Sequence, residues 1–334
     1  MKFKKIAALS TAVIMSASML VGCGNNKSKE NTDKSFKIGM VADIGGINDE
    51  SFNQSAWEGL QKAEKDFGIE VKVIESKQAS EYLQNMESLL DEDVDMVIGV
   101  GYTMKEDIEK QAKNYPDKQF VLIDETYDSI PENVTPILFR ENEAAYLTGL
   151  VAGKMTENNN VGFIGGIQTP VISRFEYGYK AGVKEANKDC NVNVQYAGTF
   201  SDAAKGKSIA NQMYGNGSDI ILAAAGGTGL GSIESAKEQN KYAIGVDRDQ
   251  SDLAPKNVLT SALKKVNVGV YDTVKEFVEG KLTGGQEKVY GLKEDGVGIP
   301  ETTKNLVPQD IIDYVNSMIE KIKNDEIKVP SNEE

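Results

Sequence analysis

From Phe36 onward, short contiguous apolar runs alternate with longer stretches in which apolar residues return every three or four positions. The first pattern predicts buried strands and the second amphipathic helices. The stretch FKIGMVADIGGINDESFNQSAW, Phe36 to Trp57, shows the unit: an apolar run, a glycine turn, then a polar segment opening a helix that carries Phe52, Ala56, Leu60, Ala63 and Phe67 on one face. The strand IEVKVIES follows, then a helix with Tyr82, Met86, Leu89 and Leu90, the strand DMVIGVG, a helix through about Tyr115, and the strand QFVLID. Thr135 to Phe139 reads as one more strand and leads into an alanine-rich helix from Glu143 to Lys154. A second set comes next: NVGFIGG, a helix from about Ser173, NVNVQYAG, a helix from Asp202, DIILAAA, a helix through Gln239, and YAIGVD. The chain closes with the strand VLTSALKK and helices over Val266 to Glu279 and Ile311 to Ile322.

The two sets are one pattern written twice. An offset of 123 positions sets Gly39 on Gly162, Ile44 on Ile167, Phe52 on Phe175, Gly59 on Gly182, Ala63 on Ala186, Lys65 on Lys188, Asp66 on Asp189 and Val71 on Val194, and the same offset later sets Asp124 on Asp247. Self-similarity at a large fixed offset predicts two lobes of one architecture, each a doubly wound parallel sheet of βα units, joined by crossover strands. The expected division is residues 36–140 plus about 262–285 in the first lobe, and 141–261 plus about 286–330 in the second. In open α/β sheets ligands bind beyond the carboxyl ends of the strands. That rule marks Asp43, the loop Ile44 to Asn48, Phe52 and Asn53, with Asp124 at the next strand end.

The first residues are of another kind. Lys2, Lys4 and Lys5 precede an apolar run from Ile6 that ends in Leu20-Val21-Gly22-Cys23. This is an export signal over residues 1–22 rather than part of the fold, and the small residue before Cys23 matches a bacterial lipobox, making Cys23 the expected lipidation site. Residues 23–35 would then be a lipidated polar tether. Loss of the signal removes three lysines and no acid, leaving 34 basic against 51 acidic residues and a net charge of −17. Nucleic acid and anionic membrane surfaces are therefore poor partners. The chain has no histidine, which takes away the usual general base and the commonest transition-metal ligand. Cys190, the one other cysteine, reads as a buried free thiol.

Two motifs fall short. A G-x-G-x-x-G beginning at Gly227 in GGTGLGS would need glycine where Ser232 stands, so Gly227 reads as a tight turn at a cleft rim. Lys205-Gly206-Lys207-Ser208 resembles the end of a phosphate loop, but Ser201 occupies the place of the leading glycine. No catalytic pair, metal site or cofactor is expected.

The lipobox, the segment DIGGINDESFNQSAWEG, the strand end FVLID, the segment ENEAAYLTGLVAGK and the pair GVDRDQ with SALKK resemble the BMP family of lipoprotein substrate-binding proteins, the nucleoside receptors of ABC importers. The resemblance implies a type I periplasmic-binding-protein fold that closes on a purine nucleoside without chemical turnover. It also implies a monomer held at the extracytoplasmic face of the cell membrane and an ABC permease as partner. Within it, Asp247 and Lys264 match the GVD and SALK segments and are expected at the ribose. The residues agree with that ligand: Phe52 and Phe175 are related by the repeat and are expected on opposite walls of the cleft, where they would sandwich a planar base. Asp43, Asn53 and Asp124 supply the expected polar edge. A sugar receptor of the same fold, its aromatics against a pyranose, and an exported sensor without a permease are the alternatives. An NAD-linked or hydrolytic enzyme is disfavoured by the missing histidine, the broken glycine motif and the export signal.

Overall fold

Strands that are apolar at every position need cover on both faces, and parallel sheets flanked by helices provide it. The computed structural model describes residues 36–332, and the expected signal, tether and Cys23 lie outside the described residues. The first sheet holds β1 Lys37–Ala42, β2 Glu70–Glu75, β3 Met96–Val100, β4 Gln119–Ile123, β5 Val134–Phe139 and β11 Lys288–Tyr290, in the order β11-β5-β4-β3-β1-β2. The second holds β6 Asn160–Gly165, β7 Asn191–Tyr196, β8 Ile220–Ala224, β9 Tyr242–Asp247, β10 Val258–Lys264 and β12 Val297–Gly298, in the order β12-β10-β9-β8-β6-β7. The central strands β3 and β8 are buried throughout, whereas the edge strand β2 is partly exposed along its length.

Helices α1 Phe52–Phe67, α2 Tyr82–Asp91, α3 Lys105–Asn114 and α8 Val266–Val278 belong to the first lobe. Helices α4 Glu141–Met155, α5 Pro170–Ala186, α6 Ala203–Gly215, α7 Gly227–Gln239 and α9 Gln309–Lys323 belong to the second. Both sheets run in the same order, with the switch of direction between β1 and β3 and between β6 and β8. The repeat extends to backbone angles: Asp124 and Asp247, each at the end of the fourth strand of its lobe, sit at φ 73° and 65°. Aspartate is among the few side chains that tolerate this left-handed region, and there it turns the carboxylate off the strand axis.

The chain passes between lobes three times, from β5 to α4, from β10 to α8 and from β11 to β12. The crossings are tied side by side, with Arg140 N donating to Tyr290 O at 2.9 Å and Lys265 N to Gly296 O at 2.8 Å. The lobe limits differ from those expected at both ends of α8. Strand β10 stays in the second sheet through Lys264 because it pairs in parallel with β9. Lys288 to Tyr290, expected in the second lobe, pair with Ile137 to Phe139 and so belong to the first. A three-residue strand is too short to carry a readable hydrophobic period.

Helix α4 is buried from Glu141 to Gly153 with no solvent face, since α5, α9, β10 and β12 surround it. Its tightest neighbour is α5, and glycines on both helices make the approach possible: a methyl added at Gly178 or Gly182 would fall on the carbonyl of Asn142 or Tyr146, and one at Gly149 on that of Tyr179. Gly182→Ala should therefore cost at least about 1–3 kcal/mol, since backbone rather than a movable side chain blocks the methyl. Gly215→Ala, where nothing lies within 4 Å, is the control and should be neutral or stabilise by up to ~1 kcal/mol. Urea unfolding of the two variants gives the comparison, and equal destabilisation would contradict the close-packed seam.

Candidate functional site

Because the switch points of the two sheets face each other, the loops after β1, β3, β6 and β8 converge on one cavity. Its space, counted out through the open mouth, is about 660 Å³. The first lobe contributes Asp43, Gly45, Asp49, Phe52, Asn53, Gly101, Tyr102 and Asp124. The second contributes Thr169, Val171, Ile172, Phe175, Phe200, Ala224, Ala225, Gly226, Val246, Asp247 and Lys264.

A hydrogen-bonded frame fixes the first-lobe wall. Asp49 accepts from the backbone N–H groups of Ser51, Asn53 and Gln54 at 2.9, 2.9 and 3.1 Å, collecting the open donors at the start of α1. Asn53 donates both amide hydrogens, to Asp43 Oδ1 at 2.7 Å and to Asp49 Oδ2 at 3.0 Å, and accepts from Asp43 N at 3.0 Å. Asp43 Oδ1 also accepts from Gly45 N at 2.8 Å. Burial lifts the Asp43 carboxyl to about 6 against those donors, with the charges of Asp49 and Asp124 adding to the rise.

On the facing wall, Ser51 Oγ of the first lobe donates to Asp247 Oδ2 of the second. Burial raises Asp247 to about 6 as well, opposed by Lys264 and by the Ser51 hydroxyl. Lys264, only 2% exposed, donates to Asp124 Oδ2 across the lobes and lies 4.6 Å from the centre of the Phe52 ring. An ammonium so buried needs both the carboxylate and the ring face to offset its lost hydration. Behind it, Glu141 at the start of α4 is fully buried against Arg174 Nε at 2.7 Å, and its carboxyl is raised to about 7 by that burial.

Outside the cavity a second set of contacts ties the rims. Arg248 forks between Glu50 at 2.7 Å and Glu58 at 2.8 Å, and Gln250 Nε2 donates to the Glu50 carbonyl at 2.8 Å. Arg248 and Gln250 follow β9 in the second lobe, while Glu50 and Glu58 belong to the α1 region of the first, so these contacts span the cleft. Glu50 reaches across from a left-handed backbone, φ 52°.

Of the residues expected at a site, Asp43, Phe52, Asn53, Asp124, Phe175, Asp247 and Lys264 all line this cavity. Gly227 does not: it is the first residue of α7, and Gly226, at φ 53°, reaches the cavity instead. The Phe pair is less symmetric than the repeat suggests. Phe52 opens α1, whereas Phe175 sits well inside α5 and is 2% exposed, because Thr169 caps that helix and Pro170 starts it earlier. Asp247 and Lys264, expected together at the ribose, both line the cavity, and within the protein Asp247 accepts from Ser51 while Lys264 donates to Asp124. Tyr102, Thr169 and Phe200 were missed, since each lies in a loop or 3-10 turn outside any periodic pattern. Asp49 carried a signal, an acid two residues before a serine at a helix start.

Chemically the cavity joins aromatic faces to carboxylate acceptors and one ammonium, which suits a flat, neutral, donor-rich molecule. Among the described residues no group of three or more His, Cys, Asp or Glu is arranged to hold a metal, and no helix is long and apolar enough to cross a membrane.

Known proteins give this geometry its context. A family model described as Bmp, ABC transporter substrate-binding protein PnrA-like, matches residues 36–333. A CD4+ T-cell-stimulating antigen of Listeria monocytogenes is 39% identical over 98% of this chain and 99% of its own. The ABC transporter nucleoside-binding protein BmpA of Lactococcus lactis is 38% identical over 89% of this chain and 91% of its own. The crystal structure of an ABC transporter solute-binding protein from Aeropyrum pernix superposes with a TM-score of 0.83 at 28% identity, covering 89% of this chain and 94% of that one. The match takes in both lobes and all three crossings, and the chain belongs to the Bmp family of PnrA-like ABC transporter substrate-binding proteins.

Proposed function

We infer that the protein is an extracytoplasmic, lipid-anchored receptor that captures a purine nucleoside between its lobes and delivers it, unaltered, to an ABC permease. The observation that carries the reading is the cavity itself: Phe52 and Phe175 on walls from different lobes, with Asp43, Asp124 and Asp247 around them and Lys264 as the one lining cation among the described residues. Base stacking on an aromatic ring contributes on the order of 1–3 kcal/mol, and the vicinal hydroxyls of ribose are donors for a carboxylate. The excess of carboxylates disfavours a phosphate, so nucleosides should bind better than nucleotides. Anchoring rests on the Gly22-Cys23 lipobox, and the permease on the family. A nucleoside-binding relative at 38% identity favours this ligand over a sugar.

Closure joins the lobes through two routes. Inside, Ser51 to Asp247 and Lys264 to Asp124 cross the cavity, and outside it Arg248 holds Glu50 and Glu58. A ligand that touches both walls adds to the first set, while the second holds the rim shut independently of what is bound.

Three outcomes follow from this reading. The soluble chain from Ser28 onward should be stabilised by purine nucleosides, by about 2.7 kcal/mol at a hundredfold excess over Kd, and the nucleoside should be recovered intact. A thermal shift with ribose or galactose but none with adenosine, guanosine or inosine would reject it, and release of free base would indicate a hydrolase. Asp247 should tell ribose from deoxyribose: an acceptor left without its hydroxyl costs about 1–3 kcal/mol, so a nucleoside should outbind its 2′-deoxy analogue about tenfold or more. Asp247→Ala should erase most of that preference in calorimetry, and a variant that keeps it would place the ribose elsewhere. Arg248→Ala should raise the ligand off-rate about three- to tenfold in stopped-flow while leaving the on-rate nearly unchanged, because the fork acts after closure. An unchanged off-rate would show that the rim contacts contribute nothing to retention.

A further inference from the structure

The acceptors around the cavity are not equivalent, and one of them is fixed in a way that dictates what it can recognise. Asp43 lines the cavity; its Oδ1 is saturated by Gly45 N–H and the Asn53 amide, whereas Oδ2 takes no hydrogen bond from the described residues. Gly101, at φ 117°, keeps that side clear: a side chain there would begin 3.5 Å from Oδ2 and 3.8 Å from the Phe52 ring. Asn53 has no hydrogen left to donate, since both are held by Asp43 and Asp49. It is thus a positioning residue for Asp43 rather than a base contact. One carboxylate oxygen, aimed beside an aromatic ring and lacking a local donor, meets the edge of whatever stacks there.

We propose that Asp43 Oδ2 selects purine lactams, nucleosides of the guanosine and inosine type whose ring N1 carries hydrogen, over aminopurines of the adenosine type. The assignment rests on the nucleoside reading given above and adds to it the class of base. A lactam presents N1–H, and guanosine also an exocyclic N–H₂, to a carboxylate. Adenine carries the lone pair of N1 at that position, which a carboxylate repels, and it can donate to Oδ2 only by shifting so that its 6-amino group takes the place of N1. The opposite edge of guanine, O6 and N7, is all acceptor and cannot turn toward Asp43.

The same frame predicts how selectivity is lost. The Oδ1 position receives two donated hydrogens, so in Asp43→Asn the amide oxygen must occupy it and the NH₂ must take the place of Oδ2. The variant turns the acceptor into a donor without moving it. A proton on Asp43 does the same, for it too must sit on Oδ2. The groups facing Asp43 are Asp49 and Asp124, whose charges favour the proton, and the hydroxyls of Tyr82 and Tyr102, while Lys264 of the same cavity is engaged by Asp124. With the carboxyl raised to about 6, protonation falls within an accessible range.

Calorimetry of guanosine, inosine and adenosine against wild type and Asp43→Asn, at pH 7.5 and pH 5, tests the assignment. Wild type at pH 7.5 should prefer guanosine and inosine to adenosine by about tenfold or more. Asp43→Asn should reverse the order, and lowering the pH should shrink the wild-type preference while leaving the ratio in the variant unchanged. Asp247 also titrates near pH 6, and the flat ratio in the variant separates its effect from that of Asp43. If nucleosides bind wild type but the ratio is the same in both proteins, or does not move with pH in wild type, the assignment is overturned and the nucleoside reading stands. If none of the three binds wild type, the nucleoside reading fails and takes the assignment with it. Where the variant does not fold, the wild-type preference at pH 7.5 still decides, since equal binding of the three nucleosides overturns the assignment.

Discussion

The structure depends on keeping three carboxylates, Asp43, Asp124 and Asp247, at converging strand ends with one ammonium, that of Lys264, among them. Like charges at close quarters in a drying cleft repel, and burial alone raises the cost of each. The protein answers locally, with Asn53 and Gly45 on Asp43, Lys264 on Asp124 and Ser51 on Asp247. Two of these partners, Ser51 and Lys264, come from the lobe opposite the carboxylate they serve. The same contacts that satisfy these acceptors therefore hold the two lobes together across the cavity.

The duplicated architecture sets this up. Each lobe ends its fourth strand in an aspartate with a left-handed backbone, and each places its switch point toward the other. The lobes then diverge in detail. The first-lobe loop is collared by Asp49 and the second is replaced by the Thr169 cap and Pro170, so one wall carries Phe52 at a helix start and the other a more deeply seated Phe175. Behind both, the glycine seam between α4 and α5 and the pair of buried Glu141 with half-buried Arg174 give the hinge side a close-packed base.

Much of this was legible in the sequence because hydrophobic period and repeat are strong signals in a parallel α/β fold. The helices α1 to α9 and strands β1 to β10 fall where the patterns put them, within a few residues at their ends. Short pieces escaped: β11 and β12 have too few residues to show a period, and their sheet membership is set by pairing with β5 and β10, far away in sequence. At the site, strand ends were readable and pairings were not. Which partner Lys264 takes depends on how three crossings bring the lobes together, and no local spacing encodes that. Tyr102 and Phe200 reach the cavity from loops whose conformation is set by neighbours far away in sequence. Asn53 shows the converse case: it lines the cavity from the helix start, but both of its amide hydrogens go to Asp43 and Asp49, which no local spacing announces.

The central claim, a cleft built for a flat donor-rich nucleoside, is tested most directly by identifying what the protein carries. The soluble chain from Ser28, purified from bacteria without added ligand and then unfolded, should release a purine nucleoside in near-equal amount, identified by mass spectrometry of the small-molecule fraction. Release of a hexose, an amino acid or a nucleotide in that amount would contradict the account.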